Sequence, residues 1–169
     1  FAAAALDPNL EIAYSYRPHT LITHDEAMAL NQLKKATKRD DYVLSWWDYG
    51  YAIRYFADVK TLNDPGRQGG ENNYFVSLAL RKEEVTSAKL ARVVSEYSDI
   101  SFEKKSRALE EILKDHNTSD LNFFLSQLES ANFTLPAAKT EVFYYLVPDM
   151  IDIAPNIFRY SYIDVMSGE

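Results

Sequence analysis

The sequence predicts a single soluble α/β domain, with a mixed sheet sandwiched by helices. Three observations carry this reading. Short β-forming runs alternate along the chain with helical stretches, the pattern of strands covered by helices. The 169 residues, 47% of them hydrophobic, are enough for one domain with a real core. No internal repeat and no internal linker divides the chain, which holds only 5 Gly and 6 Pro.

The elements follow in order. Residues 1–22 carry Pro8, Pro18 and scattered Tyr without a period, and read as an extended lead-in. The chain opens Phe1-Ala2-Ala3-Ala4-Ala5-Leu6 without Met, which reads as a cut end after a missing transmembrane region. Residues 23–169 are the expected core domain. Thr23 and Glu26 form a capping box, so a helix should run to about Lys38 with Ala29, Leu30, Leu33 and Ala36 on one face. Tyr42 to Trp46 is an apolar run that predicts a buried strand, and Val59 to Leu62 a second one. Asn63 to Asn73, with Asp64-Pro65-Gly66 and Gly69-Gly70, predicts a surface loop.

From Asn73 to about Gln127 the sequence reads helical. Val85, Ala88, Ala91, Val94 and Tyr97 make one stripe, and Ala108, Leu109, Ile112 and Leu113 another. Leu121, Phe124, Leu125 and Leu128 make a third, capped by Ser119 or Asp120. Glu141 to Val147 is a continuous β-forming run that suits a central strand. Met150 to Asn156 predicts a short helix broken by Pro155, and the alternation of Phe158, Tyr160 and Tyr162 predicts a final strand.

Composition removes several function classes. The formal net charge of −7 argues against nucleic acid, whose binding needs phosphate neutralisation by Lys and Arg. With no Cys, disulfides, thiolate zinc sites and Cys nucleophiles are impossible. Mean hydropathy is −0.31, and no apolar run reaches the roughly 18 residues of a membrane span. No charged segment followed by an apolar one marks a signal peptide. The three histidines, His19, His24 and His116, lie far apart outside any ligand spacing and read as surface or capping residues. No nucleophile elbow, P-loop or dinucleotide fingerprint is present. No metal site is expected.

The aromatic content is high, at 14%, and the only two Trp are adjacent. Trp46-Trp47-Asp48-Tyr49-Gly50 has a bland reading, a strand end that packs two Trp into the core. Against it, a carboxylate directly after two Trp needs a partner for its charge. On a strand, Trp46 and Asp48 share one face and Trp47 takes the other, and the following turn can bring them together. Two indole N–H donors and one carboxylate acceptor then form an aromatic pocket for a short hydroxyl-bearing group.

This five-residue motif resembles the signature of the catalytic subunit of oligosaccharyltransferases, the enzymes of asparagine-linked protein glycosylation. The resemblance runs from about Ile22 to Tyr162 and points to the bacterial, PglB-type branch, through the central part of its C-terminal periplasmic domain. Two positions depart from that branch: Ala52 stands where many relatives have Pro, and Asp64-Pro65-Gly66-Arg67 where an Asp-Gly-Gly-Lys-like stretch is usual. Met150-Ile151-Asp152-Ile153 matches the branch's Met-x-x-Ile motif; alone, it equally suits a core-facing helix turn.

The resemblance implies the following roles. Trp46, Trp47 and Asp48 bind the Ser or Thr at position +2 of the acceptor Asn-x-Ser/Thr, and Ile153 touches the Thr methyl. Tyr49, Gly50 and Met150 support the motif, and Tyr51 faces the lipid-linked oligosaccharide donor. No catalytic residue is expected in this chain. A divalent cation, Mn²⁺ or Mg²⁺, and the catalytic acids belong to the absent transmembrane half, which also receives the donor. The expected setting is a monomeric full-length enzyme in the inner membrane with this domain on the periplasmic face, inactive as a fragment. The expected partner is an acceptor protein carrying Asp/Glu-x-Asn-x-Ser/Thr. Asp115-His116-Asn117-Thr118-Ser119 fits that pattern itself and makes Asn117 a candidate acceptor. The alternative is a stand-alone aromatic cleft that binds peptide or sugar without enzyme activity.

Overall fold

The structure, a computed structural model, describes residues 22–135 and 137–167. Most of the expected lead-in, with His19, lies outside the described residues.

Thr23 and Glu26 close the expected capping box at the start of α1 (His24–Ala36), and Leu30 is its one fully buried side chain. The predicted apolar face is thus narrower than four residues: Leu33 is half-buried, while Ala29 and Ala36 are exposed. A short loop leads to β1 (Tyr42–Leu44). Asp41, buried just before it, accepts the backbone N–H groups of Lys38 and Glu141 at 2.7 and 2.9 Å. A 3₁₀ turn at Trp47–Tyr49 runs into α2 (Gly50–Ala57), and β2 (Lys60–Thr61) follows.

Four helices fill the region read as helical: α3 (Gly70–Arg81), α4 (Glu84–Lys104), α5 (Ala108–Asp115) and α6 (Leu121–Glu129). The stripe on α5 is buried as expected, and Asp120 caps α6 by accepting the N–H groups of Asn122 and Phe123. On α4 the expected stripe holds from Ala91 through Val94 to Tyr97, all buried, but not at its start, where Val85 and Ala88 are exposed. Val85 is 60% exposed, while Thr86, Leu90, Val93 and Tyr97 face inward.

β3 (Val142–Tyr144) completes a three-stranded sheet of order β2-β1-β3. The α/β class holds, but every described pairing is parallel, with Tyr42 opposite both Lys60 and Val142. The sheet is therefore not mixed. The expected final strand is absent: residues 154–162 are instead α8 (Ala154–Arg159) and a 3₁₀ turn (Tyr160–Tyr162), preceded by α7 (Asp149–Asp152). Two signals in the sequence favour the helix. Pro155 sits in the first turn of α8, where a missing N–H costs nothing. Ile157 and Ser161, the buried residues there, are spaced by four. β1 sits in the middle, with Val43 and Leu44 fully buried, so whatever leaves its C-terminal end is held by the core.

Candidate functional site

β1 stops at Leu44, whose carbonyl accepts the last sheet bond, from Tyr145 N–H at 3.0 Å. Trp46 is still extended (φ −70°, ψ 148°), and the chain then tightens into the 3₁₀ turn, closed by Tyr49 N–H to Trp46 C=O at 3.1 Å. The motif is therefore not a strand end. Three residues per turn splay Trp47, Asp48 and Tyr49 about 120° apart, so each looks a different way. Trp46 is buried, with its ring 5.2 Å from that of Tyr160 and 6.4 Å from that of Trp47. Trp47 is half-buried against the core, and Asp48 is exposed.

Asp48 and Tyr49 line a cleft of 990 Å³, together with Tyr51, Tyr145 and Ile153. Ile22 and Thr23 just before α1, Glu26 in its first turn and Asp149 of α7 line it as well. The structure thus brings Asp48 and Ile153 to one cavity. Neither Trp is among its lining residues: Trp46 supports the turn from the core, with Trp47 beside it.

Among the described residues no Lys, Arg or His lines this cleft. Partial burial raises the Asp48 carboxyl above its ordinary value, with its own backbone N–H working the other way. Among the described residues no other group donates a hydrogen bond to that carboxylate. Burial also raises the Tyr49 hydroxyl, and the carboxylates of Asp149, Asp48 and Glu26 add to it. Such a site accepts hydrogen bonds and favours donors and apolar groups.

Met150 and Ile153 divide their work. Met150 is buried, and its Sδ accepts a hydrogen bond from Ser45 Oγ at 3.8 Å. That contact holds α7 against the end of β1. Ile153, at the junction of α7 and α8, is half-buried and reaches the Asp48 cleft, while Ile151 is 75% exposed. Tyr51, 54% exposed, borders this cleft and a second one of 620 Å³ that also holds Arg39, Arg54, Tyr55 and Lys60.

Gly50 has ordinary helical angles (φ −57°, ψ −44°), so its role is not conformational freedom. A Cβ there would lie 2.5 Å from Asp64 Cβ and 2.6 Å from both Asp64 Cα and the Asn63 carbonyl oxygen. The loop read as plain surface begins, in fact, with two buried residues, Asn63 and Asp64. Sequence reasoning missed both as site residues, along with Ser45, Tyr145 and Asp149, and read Glu26 only as part of a capping box.

Asn117 is exposed, at the end of α5 and before α6, in a left-handed conformation (φ 50°). Thr118 N–H reaches back to Leu113 C=O at 3.0 Å, which closes the helix. Asp115 of the same pattern accepts the Tyr97 hydroxyl at 2.9 Å. His24 is exposed at the start of α1, and His116 caps α5 with its ring 4.9 Å from Phe124 and 5.5 Å from Phe133. Among the described residues no group of His, Asp and Glu gathers to hold a metal ion, and no helix is long and apolar enough to cross a membrane.

Comparison with known proteins identifies the family. Residues 39–167 match the family described as the STT3/PglB/AglB core domain. An undecaprenyl-diphosphooligosaccharide–protein glycotransferase of Campylobacter jejuni strain RM1221 is 39% identical over 162 residues, 92% of this chain and 23% of the relative. Its namesake from a serotype O:2 strain of Campylobacter jejuni is 38% identical with the same coverage. The chain therefore spans about a quarter of the length of these curated relatives. The crystal structure of the C. jejuni PglB C-terminal domain superposes with a TM-score of 0.76 at 41% identity, covering 81% of this chain and 52% of that one. By sequence and by fold, the chain belongs to the STT3/PglB/AglB core-domain family and is related to the protein glycotransferases.

Proposed function

We propose that this chain is the acceptor-reading domain of a bacterial oligosaccharyltransferase, and that Asp48 takes the hydroxyl of the Ser or Thr at position +2 of the acceptor sequon. The observation that supports the reading most is the shared cleft of Asp48 and Ile153, in which no other described residue donates to the Asp48 carboxylate. A hydroxyl can donate to that carboxylate while its β-carbon methyl rests on Ile153. Trp47, half-buried beside Asp48 and outside the cleft lining, is the more exposed of the two indoles; Trp46 anchors the turn. Tyr49 and Gly50 shape the turn, Met150 seats the helix that presents Ile153, and Tyr51 sits where the oligosaccharide donor would approach.

The role is positioning. Holding +2 places the acceptor Asn two residues away, and orientation lowers the barrier. The bond-making acids and the divalent cation, Mn²⁺ or Mg²⁺, belong to a transmembrane half; the described residues supply no ligand set for such an ion. The lipid-linked donor is received by that half, and the domain sits on the periplasmic face of the inner membrane as part of a monomer. The isolated chain is inactive: glycan transfer by the purified 169-residue chain would overturn that part. Asn117 is an acceptor in the native host, its side chain exposed; mass spectrometry of the native protein showing only unmodified peptide would count against it. The reading as a whole is tested by Asp48→Ala in the full-length enzyme. A large loss of transfer at subsaturating acceptor is expected, and unchanged turnover contradicts it.

A further inference from the structure

We propose that Asp64 is a positioning residue for acceptor recognition, a buried two-arginine clamp that sets where the Asp48 turn ends. Its carboxylate, only 1% exposed, accepts Arg54 Nη1 at 3.1 Å, Arg67 Nε at 3.1 Å and the Gly66 backbone N–H at 2.9 Å. The Thr61 hydroxyl donates to it at 3.3 Å. Arg67 also donates to the Thr61 carbonyl at 3.0 Å, so one loop residue binds the end of β2 and the clamp together. Asn63 Nδ2, next in line, donates to Asn73 Oδ1 of α3 at 2.6 Å. Residues 61–67 are thereby fixed from three sides.

This fixed segment is the surface on which Gly50 lies. The Asp64 Cα and Cβ fill the space a Gly50 side chain would need. Gly50 N–H in turn closes the 3₁₀ turn on the Trp47 carbonyl. Arg54 leaves α2 one turn later and returns to Asp64, which pins the helix to the same plate. The height of the Asn63–Asp64 backbone and the pull of Arg54 together fix the start of α2, and so the direction in which Asp48 projects. Both arginines are about half exposed, at 52% and 46% of their side chains. Water therefore reaches both guanidinium groups, which can be solvated when Asp64 loses its charge.

The inference rests on the reading that Asp48 holds the acceptor hydroxyl. The experiment is a double-mutant cycle in the full-length enzyme, with Asp-x-Asn-x-Thr peptide and lipid-linked oligosaccharide. Asp64→Asn should raise the acceptor KM about tenfold, the size of a small misplacement, with the donor KM unchanged. In the Asp48→Ala background the same change should cost almost nothing more, because the group it positions is gone. If Asp48→Ala costs activity but the two losses multiply, or if Asp64→Asn leaves the acceptor KM alone, Asp64 does not position Asp48. If Asp48→Ala alone costs nothing, the hydroxyl reading falls and this inference falls with it. Should Asp64→Asn yield too little folded protein, Arg67→Gln removes one arm of the clamp from the surface side and is read by the same cycle.

Discussion

Ser45 Oγ lies 3.8 Å from Met150 Sδ, so the residue before the Trp pair touches the residue that opens Met-x-x-Ile. The two motifs are 105 residues apart by that contact, and the fold joins them directly. Met150 is buried and cannot meet an acceptor, but its seat determines where Ile153 stands. Met150→Ala should therefore cost about 2–5 kcal/mol of stability by leaving a cavity. Met150→Leu, close in volume, should cost less than about 1.5 kcal/mol. Urea denaturation of both variants checks the difference.

Ile153 should set the preference for Thr over Ser. One methyl contact is worth about 0.8 kcal/mol, roughly fourfold in kcat/KM. Ile153→Ala should erase that factor while leaving turnover of Ser acceptors nearly unchanged. Paired Thr and Ser peptides measure it.

Gly50→Ala should destabilise although the site is helical. In an open helix Ala would stabilise by up to about 1 kcal/mol over Gly. Here its Cβ would meet Asp64 Cβ at 2.5 Å and backbone atoms at 2.6 Å, so overpacking of about 1–3 kcal/mol decides the sign. A lower denaturation midpoint, with weaker acceptor binding, is the expected result.

The two aspartates should respond to pH with opposite signs. Burial raises the Asp48 carboxyl, so its contribution to stability is present in acid and lost as pH rises through its folded value. Asp48→Asn should stabilise the domain at neutral pH and not below the ordinary carboxylate range. Burial works against the charge of Asp64 too, but Arg67, the Gly66 N–H and Arg54 outweigh it and lower the carboxyl. Its contribution is present at neutral pH and lost as pH falls through its folded value, so Asp64→Asn should destabilise at neutral pH only. Denaturation midpoints at both pH values separate the two.

Much of this was readable in the chain. The capping box at Thr23, the buried stripe on α5 and the five-residue motif depend on residues close in sequence, where periodicity and capping chemistry apply. The final strand was misread because Phe158, Tyr160 and Tyr162 alternate by chance. Their neighbours Ile157 and Ser161 carry the burial at a spacing of four. The cleft itself was not readable: Glu26, Asp48, Tyr145 and Asp149 meet only after β3 pairs with β1 and α1 packs beside α2. Nor was Asp64, since a loop rich in Gly and Pro looks the same whether its first residues face solvent or a helix.

The most direct test of the central claim is discrimination at +2 by the full-length enzyme. Rates are compared for Asp-x-Asn-x-Thr and the same peptide with Val, which keeps the shape and removes the hydroxyl. A hydrogen bond to a charged group contributes about 1.5–3 kcal/mol, so the wild type should prefer Thr by at least about tenfold. In Asp48→Ala that preference should collapse towards unity. Full discrimination retained by Asp48→Ala would contradict the account.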